Sequence, residues 1–305
     1  MKQKKNEMYW VMAFVLAGSI HAFAKPYAVG PYLGQTPPGS TAQVFAPGLI
    51  CDTRPHQLEA WVSFSADGNT FCFNRGGYVF ITENTDQGWT RPKRIKSIPF
   101  KTSSCCLSPD ANSIYFNYSY DPSKRYSRHR CMRTSRGWSL PQELQEPSIN
   151  SGSGGTFSLA ANNNFYFVSW PFGPHKKGGI FCAPFVDNTW SQAINLSVFV
   201  QAKGVGEPGI APDESFMIVN TKDLPGGYGH QDLYLTLRRP DGTWPEARNL
   251  GPRINSAYLE YGARISPDKK YLFFTRANGW GYNSNDDTGD IYWVELKEYL
   301  PETYR

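Results

Sequence analysis

The 305-residue chain has no long stretch in which apolar residues recur every 3.6 positions, which argues against a helical bundle. It has no basic run inside the part expected to fold, so a formal charge of +5 does not imply a nucleic-acid partner. Its longest apolar run, Tyr9 to Ile20, is too short for a comfortable membrane span. Six cysteines are present, but no pair of Cys-x-x-Cys units, so their spacing indicates no metal site. No Gly-x-Ser-x-Gly elbow is present, which removes the usual signature of a serine hydrolase. No cofactor is expected.

Aromatic residues make up 15% of the chain, and it holds 28 Gly and 23 Pro. Aromatics suit strands, while Gly and Pro suit turns, so this is the composition of a turn-rich β protein. Lys2, Lys4 and Lys5, the apolar run and the small-x-small triplet Ala22-Phe23-Ala24 form a secretory leader, with cleavage predicted after Ala24. Losing three Lys and Glu7 lowers the formal charge from +5 to +3. No Cys follows the cleavage site, so no lipid anchor is indicated. The expected product is one periplasmic or secreted domain, residues 25–305, with no membrane insertion after cleavage.

A repeat organises the rest. A strand, a tight turn and a second strand appear as Val62–Phe73 around Asp67, and as Cys106–Phe116 around Asp110. A worn copy, Phe157–Phe167, has Asn162 at the turn, and further copies surround Asp213 and Asp268. Pro fixes φ for the turn and Asp bonds nearby amides. A second motif follows each of the first four turns, at Trp89, Trp138, Trp190 and Trp244, with spacings of 49, 52 and 54. A third strand lies between, as in Asp232–Leu237 and Asp290–Leu296. Each repeat therefore holds four short strands, which is one blade of a β-propeller. The fifth repeat lacks its last strand, and Thr41–Ile50 matches the missing pattern. The prediction is an all-β five-bladed propeller closed by an N-terminal strand, with six blades as the alternative.

The stretches Ile265-Ser-Pro-Asp268 with Tyr271–Phe274 and Gly289–Tyr292, and the segment Pro225–Tyr234, resemble the WD-like β-propeller repeat family known from the periplasmic propeller of the Tol system. Tyr32–Gly39 resembles the lead-in of secreted bacterial members. The resemblance spans roughly residues 31 to 297. It implies the fold; for function it implies a range from protein-binding modules to propellers attached to peptidases.

In a propeller the first strand of each blade lines the central channel. Counting back from each turn residue gives three sets of candidate channel positions, each on one strand face. Eight back are Glu59, Thr102, Gly154, Val205 and Glu260; six back are Trp61, Ser104, Thr156, Glu207 and Gly262; four back are Ser63, Cys106, Ser158, Gly209 and Arg264. Glu59, Glu207 and Glu260 are candidate catalytic carboxylates at the channel mouth, with Trp61 as a stacking platform for a sugar. The plainer reading makes them solvated charges or partners of Arg264. Trp61, Ser104, Arg264, Tyr228 and His230 are the candidate ligand-binding residues. Asp232 and Asp290 suit structural bonds at strand starts. His175, Lys176 and Lys177 lie in a Gly- and Pro-rich loop, and Asn283–Asp290 is oxygen-rich with its glycine misplaced for an EF-hand. An oxidising compartment permits disulfides, while buried free thiols are the other reading; Cys105 and Cys106 point to opposite faces.

The expected function is a non-catalytic binding module for a protein or glycan ligand of the cell envelope. The alternatives are a glycoside hydrolase or lyase using the three glutamates, or a structural subunit of an envelope complex.

Overall fold

The computed structural model describes residues 27–52, 57–118, 127–146, 149, 156–169, 178–196, 206–222, 226–279 and 288–305. The predicted leader with its expected Ala24 site, the predicted His175 loop and residues 283–287 of the oxygen-rich segment lie outside them. Among the described residues, no helix is long and apolar enough to cross a membrane.

Five antiparallel sheets form five blades. In blade one the strands Glu59–Phe64, Thr70–Arg75 and Tyr78–Thr85 pair in order, and Lys93–Arg94 completes the sheet. Blades two to four repeat this from Ser103, Phe157 and Gly206. Blade five holds Leu259–Ile265, Tyr271–Ala277 and Gly289–Glu295, and its outer strand comes from the other end of the chain. Gln43 pairs with Trp293 and Val44 with Tyr292, as the incomplete fifth repeat predicts. This closing strand is only two residues long. Of the rest of the predicted segment, Phe45, Ala46 and Ile50 are buried as core, while Pro47 and Gly48 are exposed.

The turns explain why the repeats are legible. Asp67 accepts the Asn69 amide at 3.0 Å and the Ser65 hydroxyl at 2.5 Å. Asp110 and Asp268 do the same with Asn112 and Ser108, and with Lys270 and Ser266. In the worn copy Asn162 keeps the amide bond, to Asn164 at 3.0 Å. The tryptophan motif divides in two. Gly88–Trp89 extends the third strand into a small hairpin, and the fourth strand follows the proline.

The hydrophobic core lies between blades. Each of five buried clusters occupies mainly one seam: Cys72, Ile81 and Phe116 between blades one and two, Phe157, Phe165 and Tyr115 between two and three, Tyr166 and Met217 between three and four. Ile218 and Leu272 lie between four and five, and Phe71, Phe273 and Trp293 between five and one. Both faces of a blade are therefore buried, so its middle strands read as nearly continuous apolar runs such as Phe165–Val168. All six cysteines are buried and free.

Candidate axial binding site

Residues at equal distances before the turns form rings around the axis. In the ring four back, Ser63, Cys106, Ser158 and Arg264 line a cavity of about 190 Å³ at the turn end of the axis. Leu107, Leu159, Ile210 and Ile265 give it apolar walls, and it opens between the turn residues Ala66, Pro109, Ala161, Pro212 and Pro267. Two hydroxyls of this ring join neighbouring blades. Ser63 Oγ accepts the Leu107 amide at 3.0 Å, and Ser158 Oγ accepts the Ile210 amide at 3.1 Å while donating to the Pro208 carbonyl at 2.7 Å. Arg264 crosses the axis from blade five, and its Nη2 donates to the Phe157 carbonyl of blade three at 2.6 Å. Nη1 donates to Ala263 at 2.8 Å, and Nε has no hydrogen-bond partner. A buried guanidinium with an unused N–H is a built-in cationic donor.

In the ring six back, Trp61, Ser104, Glu207 and Gly262 have φ of 49°, 57°, 27° and 66°. The ladder to the second strand slips by one residue at each of these places. A β-bulge re-aims side chains in this way, and here it recurs in four blades at one level. Trp61 Nε1 donates to Glu207 Oε1 at 3.4 Å, from blade one to blade four across the axis. Glu207 Oε2 accepts the Gly262 amide. A Cβ on Gly262 would lie 3.1 Å from Trp61 Cδ1, so glycine both allows the positive φ and makes room for the indole. Burial pushes the Glu207 carboxyl up to about 7, opposed by the charge of Arg264 and by the Trp61 and Gly262 donors. Ser104 is fully buried in this ring, and its hydroxyl has no partner. Side chains thus cross the axis at two levels.

The three glutamates are kept apart, two of them in the ring eight back. Glu59 and Glu260 are each fully buried and each bonded to the arginine opposite in register, Arg75 at 2.9 Å and Arg276 at 2.8 Å. Glu207 alone meets Trp61 and the field of Arg264. Gly154 and Val205 lie outside the described residues. Tyr228 and His230 are exposed and lie at the seam of blades four and five, where the His230 amide donates to the Tyr258 carbonyl at 3.2 Å. That is the start of the blade-five inner strand, and the cavity is at its other end. The structure therefore joins Trp61 with Glu207 and places Arg264 in the cavity, while Tyr228 and His230 stand apart. Asp232 accepts the Tyr228 amide at 2.6 Å, a structural bond at a strand start.

One ring escaped sequence reasoning. Seven residues after the turns stand Asn74, Asn117, Ser169, Asn220 and Thr275, all buried. Asn74 Nδ2 donates to Thr102 Oγ1 at 2.9 Å, and Thr275 Oγ1 accepts the Trp61 amide at 3.4 Å, so both serve the inner strand of the next blade. The available signal was a small polar residue at one fixed offset in otherwise apolar strands.

No family model matches the sequence, and no curated protein matches it. Solved structures do. A structure described as a complex of BT0996 with RGII aligns with a TM-score of 0.51 and 8% identity, over 84% of this protein and 91% of that one. A putative TolB from Agrobacterium tumefaciens aligns with a TM-score of 0.46 and 14% identity, over 72% and 70%. A thermostable family-43 glycoside hydrolase aligns with a TM-score of 0.46 and 10% identity, over 77% and 89%. At such identities the likeness extends to the fold alone.

Proposed function

We propose that the protein is a non-catalytic binding module of the periplasm or cell exterior, and that its axial cavity receives a carboxylate-bearing end of an envelope ligand, glycan or protein. The observation that carries this reading is Arg264, buried on the axis with Nε unpaired, in a cavity to which all five blades contribute. One guanidinium suits one carboxylate, with apolar walls to hold the adjoining carbon skeleton. The enzyme alternative calls for two carboxylates flanking a bond. Glu59 and Glu260 instead each commit an oxygen to an arginine, which leaves Glu207 as the carboxylate held by Trp61.

The test is calorimetric titration of the purified protein with glucuronate, galacturonate and short acidic peptides. At least one ligand class is expected to bind, with a loss of tenfold or more in Arg264→Gln. Glycan hydrolysis or elimination that disappears in Glu207→Gln would overturn the reading in favour of an enzyme.

A further inference from the structure

The seams between blades four and five and between five and one are built on one plan. In each, a residue at the entry to the third strand, Gln231 or Gly289, bridges in parallel to the entry of the next inner strand, Leu259 or Leu58. The next residue is a buried glutamate held by its arginine, whose Nη2 donates to the carbonyl of Ile254 or Ile50. The residue after that isoleucine reaches the third strand. Asn255 Oδ1 accepts the Leu233 amide at 2.8 Å and its Nδ2 donates to the Leu233 carbonyl at 3.0 Å. Cys51 does both jobs with sulfur, accepting from Ile291 N at 3.3 Å and donating to Ile291 O at 3.5 Å.

The two seams differ in what faces the glutamate. Beside blade four, Ser256 donates to both oxygens of Glu260, by its hydroxyl at 2.5 Å and its amide at 3.1 Å. Asp232 there accepts the Tyr228 amide and Asn249 Nδ2. Beside blade one, the matching serine is replaced by Asp52, whose amide still faces Glu59 but which brings no hydroxyl, and the asparagine by Cys51. Glu59 Oε2 is buried with no hydrogen-bond partner. The ligand atoms of Cys51, Glu59 and Asp290 all lie within 4.8 Å of one another.

We propose that this seam is a divalent-cation site of zinc type, with Cys51 Sγ, Glu59 Oε2 and Asp290 as ligands and a solvent molecule in the fourth position. One sulfur and two carboxylate oxygens suit a borderline-soft ion. A tetrahedral centre holds such atoms about 3.5 Å apart, so a small contraction of the seam completes it. Binding releases the Cys51 proton to solvent and forms the metal–sulfur bond, and the Ile291 amide already donates to that sulfur. One thiolate and two carboxylates balance the ion together with Arg75. The site would clasp the segment after the closing strand to the first and last blades.

Cobalt(II) titration of chelator-treated protein provides the test. One ion per chain is expected, with a near-ultraviolet thiolate-to-cobalt band that zinc abolishes. The band should vanish in Cys51→Ser and remain in Cys182→Ala. Asp290→Asn, which changes only a half-buried carboxylate, should weaken cobalt binding at least tenfold and remove the rise in melting temperature that zinc gives the wild type. Failure of the wild type to take up cobalt overturns the proposal. So does a band that survives Cys51→Ser, or binding unchanged by Asp290→Asn. None of these readouts depends on the axial cavity.

Discussion

At the scale of the residue, the turns show what a side chain costs in left-handed backbone. The residue after each turn Asp or Asn has positive φ: Gly68, Ala111, Asn163, Glu214 and Lys269. Only blade one uses glycine there. Glu214 and Lys269 gain contacts in exchange, since Glu214 accepts from Tyr166 Oη at 2.8 Å and Lys269 pairs with Asp213 at 2.8 Å. Ala111 has no such side-chain contact to lose, so Ala111→Gly is expected to stabilise the protein by about 0.5–1 kcal/mol in chemical denaturation. Gly262→Ala should act in the opposite direction. It adds a Cβ at φ 66° and 3.1 Å from the Trp61 ring, and should cost about 2 kcal/mol or more. The turn chemistry was legible because it is local: Asp bonds an amide two residues on. The need for glycine at 262 was not, because the indole it accommodates comes from another blade.

At the scale of the element, the closing strand makes few hydrogen bonds and draws its strength from what it carries. Phe45 is fully buried against Phe71, Phe273 and Trp293, with ring centroids 5.0–5.8 Å away. Truncation to alanine leaves a cavity in that seam, so Phe45→Ala should cost about 3–5 kcal/mol and lower the thermal midpoint. It should also raise aggregation on heating, because release of Gln43–Val44 exposes the edge of blade five. If Phe45→Ala melted like the wild type, the closing segment would not be holding the ring. The incomplete fifth repeat and the pattern in Thr41–Ile50 were enough to foresee the pairing. The two-residue length was not visible in the pattern, which continues through Pro47 and Gly48 although strand pairing stops at Val44. The bulges shared by four inner strands were also hidden, since Trp, Ser, Glu and Gly at one offset share no propensity for positive φ.

At the scale of the whole molecule, the axis contributes to the pH response through Glu207. The Glu207 carboxyl ordinarily ionises near 4.5 and is held near 7 in the folded ring, where burial outweighs its donors. Between those values the folded state binds the proton more tightly than the unfolded chain. Its stabilising contribution is therefore full below about pH 4.5, declines as pH rises, and is lost above about pH 7. The whole change is on the order of 3 kcal/mol. Denaturant midpoints at pH 5 and pH 8 should show wild type losing stability relative to Glu207→Gln as pH rises. A constant difference between the two proteins would mean that Glu207 does not titrate in this window. The repeat, its turns and the closing strand could be read from residue order, which also put five blades ahead of six. Each of these follows from short-range periodicity repeated about every fifty residues. Which axial residues meet is a property of the folded ring. Trp61 reaches Glu207, Arg264 reaches Phe157, and Glu59 and Glu260 turn to arginines in their own blades. Those pairings depend on cross-axis distances and on burial, and no residue spacing along the sequence encodes either.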